Sequence, residues 1–201
     1  LSFQSLAVGA SGDGGTVVTP VEYDDCLRAD AKVWIPFHTN SVSGLPADSQ
    51  QLPSSYASLY GTEAAYAFTL NGFDSASLNR KVSSRRPGSS HADADKHSVI
   101  TYGASSVADS VLALKYNQTE KSVIRENHFL IGLEKTVFTD EDGRRFAEFK
   151  DAFGNVRLSR RYMLNTEGSY IPYADTYTVY DDAGRIVWVI SPEGSALLAG
   201  S

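Results

Sequence analysis

The residues that could do chemistry are few. His91-Ala-Asp-Ala-Asp-Lys-His97 sets His91, Asp93, Asp95 and His97 at alternate positions. On an extended strand alternate side chains share one face. Two imidazoles and two carboxylates in a row form a donor set that suits zinc or a similar ion. The competing expectation is a polar loop joining Arg80-Lys-Val-Ser83 to a strand at Ser98-Val-Ile-Thr-Tyr102, because adjacent ligands on one strand converge poorly on a single ion. Asp140-Glu-Asp-Gly143 is similar to the opening of a calcium loop, but the later acceptor and the bidentate Glu of an EF-hand are missing, so a turn is expected there. Gly9-Ala-Ser-Gly-Asp-Gly-Gly15 is Gly-rich without the Lys-Ser/Thr of a P-loop and reads as a loop. Cys26 has no histidine close by in sequence and no helix N-terminus to lower its pKa, so it reads as a small apolar filler. The four histidines are His38, His91, His97 and His128, and no Gly-x-Ser-x-Gly, His-Glu-x-x-His or Cys-x-x-Cys occurs. The expectation is a non-enzymatic chain with no cofactor.

What would position any site is a set of hairpins. Asp175-Thr-Tyr-Thr-Val-Tyr180 and Ile186-Val-Trp-Val-Ile190 are rich in β-branched and aromatic residues, as strands prefer. Between them lies Asp181-Asp-Ala-Gly184. An Asp side chain at the start of a turn accepts hydrogen bonds from the backbone just ahead of it. A Gly three residues on adopts positive φ without steric cost. The pattern recurs as Asp140-Glu-Asp-Gly143 and Asp151-Ala-Phe-Gly154, and in degraded form as Tyr23-Asp24-Asp-Cys-Leu27-Arg28, with Leu27 in the Gly position. Recurrence of one turn, each copy followed by an apolar run, is an internal repeat, and repeats of this kind bury their apolar faces by stacking. The turn-formers singled out are Asp140, Gly143, Asp151, Gly154, Tyr180, Asp181, Gly184 and Arg185.

Tyr180-Asp181-x-x-Gly184-Arg185 resembles the YD repeat of Rhs (rearrangement-hotspot) proteins, and Asp175 to Glu193 is similar to the form found in large Bacteroidetes members. Val18-Thr-Pro-Val-Glu-Tyr-Asp24 with Val33-Trp-Ile-Pro-Phe37 resembles that group's entry segment. Ser77-Leu-Asn-Arg80 with Pro87-Gly88 resembles its Pro-Leu-Asn-Arg…Pro-Gly segment, with Ser77 in place of Pro. The resemblance implies a segment of a large extracellular or cell-surface protein whose hairpins coil into a β-shell enclosing a C-terminal, toxin-like part. The implied partners are the other repeats and the C-terminal segment of the same parent chain. An alternative is a surface module for a glycan or another cell-surface protein, with Tyr56, Tyr60, Tyr170 and Tyr173 offering rings for stacking. The least favoured alternative is a metal-dependent hydrolase using His91, Asp93, Asp95 and His97.

Composition agrees with such a reading. The chain has 201 residues, enough for a sizeable core, with 42% hydrophobic and 21% charged residues. Eleven Tyr and sixteen Gly against a single Met suit a turn-rich β protein. A net charge of −6, with Arg85-Arg86 and Arg160-Arg161 only as pairs, disfavours nucleic acid. No apolar run approaches a membrane span. One cysteine allows no internal disulfide.

The expected fold is all-β: antiparallel hairpins and meanders forming an extended curved sheet, a partial shell, with little helix. Two regions are expected, 1–132 with one degenerate repeat at 21–35, and 133–201 with the repeat hairpins proper, the alternative being one continuous domain. Residues 38–55 read as loop, 56–66 as a short helical turn, and 166–172 as an inserted loop. Strands are expected at 110–116, 121–125 and 128–131. Leu1 to Val8 alternates like the return strand of a hairpin whose first strand is missing, and Ala196 to Gly200 closes nothing, so both ends read as cuts in a longer chain.

Gly184→Val forces a β-branched residue to positive φ, and the expected loss is about 1 kcal/mol or more. Thermal melting of the variant checks this, and an unchanged midpoint would overturn the turn assignment.

Overall fold

Alternating apolar residues between Gly-closed turns produce antiparallel strands along most of the described chain. The computed structural model describes residues 3–10, 16–23, 30–39, 52–75, 78–94 and 96–200. The all-β expectation is borne out. The chain forms two units, Leu1–Val99 and Ile100–Ser201.

In the first unit, β1 (Phe3–Ala10) pairs with β2 (Thr16–Tyr23), and β2 pairs with β3 (Asp30–Trp34). A short β4 (Phe37–Thr39) also lies on β2, with Val18 opposite Phe37. The helix α1 (Leu52–Tyr60) has Pro53 in its first turn, where a missing N–H costs nothing. It stops at Gly61, which stands at φ +58°, a left-handed conformation that glycine adopts without steric cost. A 3₁₀ segment, Gly61–Tyr66, follows. Then come β5 (Phe68–Phe73), β6 (Lys81–Arg85), α2 (Ser89–Asp93) and β7 (Ser98–Ala104), with β3–β5, β5–β6 and β6–β7 all antiparallel.

The core of this unit is aromatic: Trp34 lies 5.2 Å from Tyr56 and 4.9 Å from Phe68, ring centre to ring centre. Two buried polar side chains of this unit, Glu22 and Asn71, are partnered. The Trp34 indole N–H donates to the buried Glu22 carboxylate at 2.8 Å. The buried Asn71 amide donates to the Asp30 carbonyl and accepts from the Ser84 hydroxyl.

The second unit takes in β7 from Ile100 onward and continues with a 3₁₀ turn, Val107–Asp109, and a hairpin of β8 (Leu112–Asn117) and β9 (Ser122–Phe129). A five-stranded meander follows: β10 (Glu134–Thr139), β11 (Arg145–Lys150), β12 (Val156–Leu164), β13 (Tyr170–Tyr180) and β14 (Ile186–Ile190), then α3 (Pro192–Gly200). The core joins Val111, Leu112 and Leu114 from the β8 side to Ala147, Phe149, Leu158, Tyr177 and Val179 from the meander. The meander has one apolar face, and the β8–β9 hairpin covers it.

The turns are built alike. Asp140, Asp151 and Asp181 each accept two backbone N–H bonds on Oδ1, at 2.8–3.0 Å. Gly143, Gly154 and Gly184 each donate back to the Asp carbonyl and stand at φ of +80°, +82° and +75°. This is a type I turn with a Gly bulge. A Cβ on Gly184 would meet nothing within 4 Å, so backbone strain alone opposes a substitution there. At Gly143 a Cβ would stand 3.3 Å from the Tyr170 hydroxyl.

Several expectations need correction. Asn165-Thr-Glu-Gly168 is a fourth turn of the same kind, with Gly168 at φ +78° and Asn165 Oδ1 accepting from Glu167 and Ser169. The expected loop at 166–172 is therefore a tight turn leading straight into β13. An Asn amide oxygen accepts as an Asp carboxylate does. The two strands expected at 121–125 and 128–131 are one strand, β9, whose pairing with β8 shifts register between Arg125 and Phe129. The two units divide between Val99 and Ile100, and β8 contributes Leu112 and Leu114 to the core of the second. The tail at 196–200 is helical, and Leu52 to Ser55 belong to α1 instead of a loop. The degraded turn around Asp24 and Leu27, Cys26, and most of the 38–55 loop lie outside the described residues.

Asp109 closes the 3₁₀ turn in a capping box with Ser106 and pairs with Lys135. Burial raises its pKa, but the Lys135 hydrogen bond, the Ser106 N–H and the lysine charge together outweigh that and leave it below its ordinary 3.8. A carboxylate with a lowered folded pKa stabilises the fold above the unfolded value, and that contribution is lost as pH falls through the folded one. Asp109→Asn should therefore flatten the acid limb of stability below about pH 4, read by denaturant unfolding at stepped pH.

Candidate functional site

Period-two alternation decides which side chains of the meander meet solvent. The strands that bury Phe149, Leu158 and Tyr177 must send Phe146, Glu148, Ser159, Arg161 and Thr176 to the other face. The register aligns them. Phe138 faces Phe146, Phe146 faces Arg161, and Arg161 faces Ala174, a single row across four strands. The next row is Thr136, Glu148, Ser159 and Thr176. Between and beside these rows is a groove of about 580 Å³.

The groove has a polarised character. The rings of Phe138 and Phe146 are 5.1 Å apart, and Phe146 is 45% exposed. Tyr173 is the extra residue of a bulge between the pairs Arg161–Ala174 and Tyr162–Pro172, and it is 56% exposed. Bulges re-aim the side chain they carry. Arg161 is exposed and has no counter-ion among the described residues. The two carboxylates of the groove are engaged: Glu148 with Lys150 at 3.1 Å, and Asp140 with its own turn. Arg145 is tied down, donating to the Thr139 hydroxyl and stacking 3.7 Å over Tyr170.

The opposite face of the same strands holds Arg160, only 6% exposed. Its guanidinium grips both oxygens of Asp175 at 2.7 Å and donates to the Asp109 carbonyl at 2.6 Å. Burial alone would lower its pKa, but the Asp175 hydrogen bonds and charge outweigh that and raise it. Tyr177, its pKa raised chiefly by burial, accepts from the Leu112 N–H at 3.1 Å. These groups line a second hollow of about 360 Å³ with Arg125, Phe129 and residues of α3. Every donor that Arg160 spends here goes to the fold, so the pair positions β12 against β13.

The residues singled out from sequence fall in different places. Tyr180 and Arg185 join the turn framework: the Tyr180 hydroxyl donates to the Val156 carbonyl, and Arg185 donates to Asp181 at 2.8 Å. Hydrogen bonds from the Arg185 backbone and side chain hold the Asp181 carboxyl below its ordinary range. Tyr170 bonds the Gly143 carbonyl at 2.7 Å, locking one turn to the next. Tyr56 is fully buried, its hydroxyl on the Ile35 carbonyl, and its pKa is pushed up by burial and then by Tyr60. Tyr60 stacks on it at 5.5 Å. Of the four tyrosines proposed for ligand stacking, Tyr173 alone stands free beside a groove.

His91 and Asp93 do not lie on a strand. They lie in α2, where positions two apart point in different directions. The Pro87-Gly88 bend and the Glu63 carboxylate, which accepts from the Ser89 N–H and hydroxyl, set that helical turn. Asp95 lies outside the described residues, and no three metal-ligating side chains gather among the described ones. His128 stands beside Glu126 at 3.6 Å on the exposed edge of β9. Phe146 and Arg161 were not anticipated. Their signal was available: in Arg160-Arg161 on a strand, one arginine must face in and the other out.

Fold and groove together define an antiparallel β protein whose second unit is organised by repeated Asx–Gly turns. Residues 2–104 match the model of a family described as a domain of unknown function, DUF6443, and the chain, just over half of which is covered, belongs to that family. No curated protein and no solved structure matches the chain.

Asp175→Ala leaves Arg160 charged, buried and short of a partner. The expected cost is about 3 kcal/mol, measured by urea unfolding, with Arg160→Ala costing a similar amount and the double variant less than the sum.

Proposed function

We propose that this chain is a non-catalytic structural segment of a large secreted or cell-surface protein of the Rhs/YD-repeat kind, one stretch of a β-shell wall around a C-terminal segment. The observation that carries this reading is the succession of four equivalent turns at 140, 151, 165 and 181, each with an Asx oxygen capping its own backbone and a Gly at positive φ. Tyrosines at 170 and 180 reach from one strand to an earlier turn, to the carbonyls of Gly143 and Val156. Arg145 and Arg157 lie over those same two rings. Such cross-ties transmit order from hairpin to hairpin, which is what a wall built of repeats requires. The Tyr-Asp pair of the repeat then has a physical meaning: Asp closes its own turn while Tyr fastens another.

A second reading, a surface module for a carbohydrate or another cell-surface protein, is favoured by the exposed rings of Tyr173 and Phe146, which line one groove. Limited proteolysis of the full-length parent followed by size-exclusion chromatography separates the two. A cleaved C-terminal piece that stays within a protease-resistant body is the expected result. Separation into independent soluble modules would overturn the wall and leave the binding module standing.

A further inference from the structure

We propose that the outer face of β10–β13 is an interface between two copies of this chain, in which the exposed face of α3 from one copy docks in the groove of the other and Glu193 pairs with Arg161. The inference goes beyond the wall reading and does not rest on it. An antiparallel sheet that simply faces water alternates apolar-in and polar-out. Here the outward positions include Phe138 and Phe146, and Tyr173 stands exposed in the bulge near them. Val189 of β14 is exposed on the same face, because it lies opposite Thr178, two residues on from Thr176. Exposed aromatic rings around an arginine are the composition of an interface core. The backbone groups of β11, β12 and β13 are spent on neighbouring strands. An occupant is therefore held by side chains and brings its own internally bonded backbone, as a helix does.

The chain carries a helix of the required chemistry. Pro192, the first residue of α3, lines the groove, so the helix starts at its rim. Ser195 and Leu198 turn inward to the core. Glu193 and Leu197, four residues apart and so on one face of the helix, are left to solvent. Glu193 has no cationic partner among the described residues, and Arg161 has no anionic one. Glu148, the carboxylate beside Arg161 in the groove, is taken by Lys150. The two unmet charges are opposite, and each adjoins an exposed apolar group: Leu197 lies one turn on from Glu193, and Phe146 stands directly across from Arg161. A guanidinium matches a carboxylate in geometry as well as charge. Because the helix begins where the groove ends, a single two-fold axis sets each α3 against the other copy's groove and makes both contacts twice. The product is a closed dimer.

The test is sedimentation equilibrium of the whole chain from about 1 to 100 μM, which spans the affinity of a modest interface. The expected result is a reversible monomer–dimer equilibrium that weakens as salt is raised. Arg161→Glu and Glu193→Arg should each weaken the dimer about tenfold or more, since each sets like charges opposite one another. Mixing these two variants should restore dimerisation, because in the mixed pair every carboxylate again meets a guanidinium. Phe146→Ala should weaken the dimer about tenfold without touching the charges. Circular-dichroism melts identify any variant that fails to fold, and Arg161→Gln and Glu193→Gln, each expected to weaken the dimer by several-fold, then replace the reversals. A monomer throughout the range overturns the interface. A dimer that no charge change weakens, or one that mixing the reversed variants does not restore, overturns the Glu193–Arg161 contact and the placement on this face. Assembly that grows past the dimer overturns the two-fold arrangement and indicates edge-to-edge strand pairing instead.

Discussion

The second unit depends on one local interaction, an Asx side-chain oxygen held between two backbone N–H groups at the mouth of a turn. At Asp140, Asp151, Asn165 and Asp181 that oxygen sits 2.8–3.0 Å from the N–H groups two and four residues ahead. The chain reverses there because Gly, with no Cβ, takes the positive φ that closes the bulge. Each reversal sets the register of the next strand pair, and register sets which residues face the core. A slip by one residue at the turns that flank β11 and β12 would exchange Phe149 with Glu148 or Lys150, and Arg160 with Ser159 or Arg161.

The Arg160-Arg161 pair shows what register controls. The two side chains are chemically identical and adjacent, yet their roles are opposite. One is buried against Asp175 and the Asp109 carbonyl and holds strands together. The other stands in the groove with no counter-ion among the described residues. Burial makes the first obligatory, because a guanidinium out of water needs its hydrogen bonds satisfied. Exposure leaves the second available to a ligand.

Among the described residues of the first unit, order comes from aromatic packing. Tyr56 is delivered by α1 into a cluster with Trp34, Phe37 and Tyr60. Its hydroxyl finds a backbone carbonyl, as a buried phenol must. A ring that in sequence could have served a ligand is spent on the core.

Local physics was legible in the sequence. The three Asp-x-x-Gly turns, the meander they join and the all-β class follow from short-range rules, turn chemistry and period-two alternation, which act within a dozen residues. Asn165-x-x-Gly168 obeyed the same rule and was hidden only by the change from carboxylate to amide. What the tertiary structure decided was long-range. That β8 and β9 cover the meander, that Tyr56 is buried while Tyr173 is free, that His91 and Asp93 lie on a helical turn, and that Phe146, Arg161 and Tyr173 share a groove all depend on contacts between distant segments. Sequence periodicity says that one face of a strand is buried. It does not say which other segment buries it, because that choice is made by the summed packing of whole surfaces.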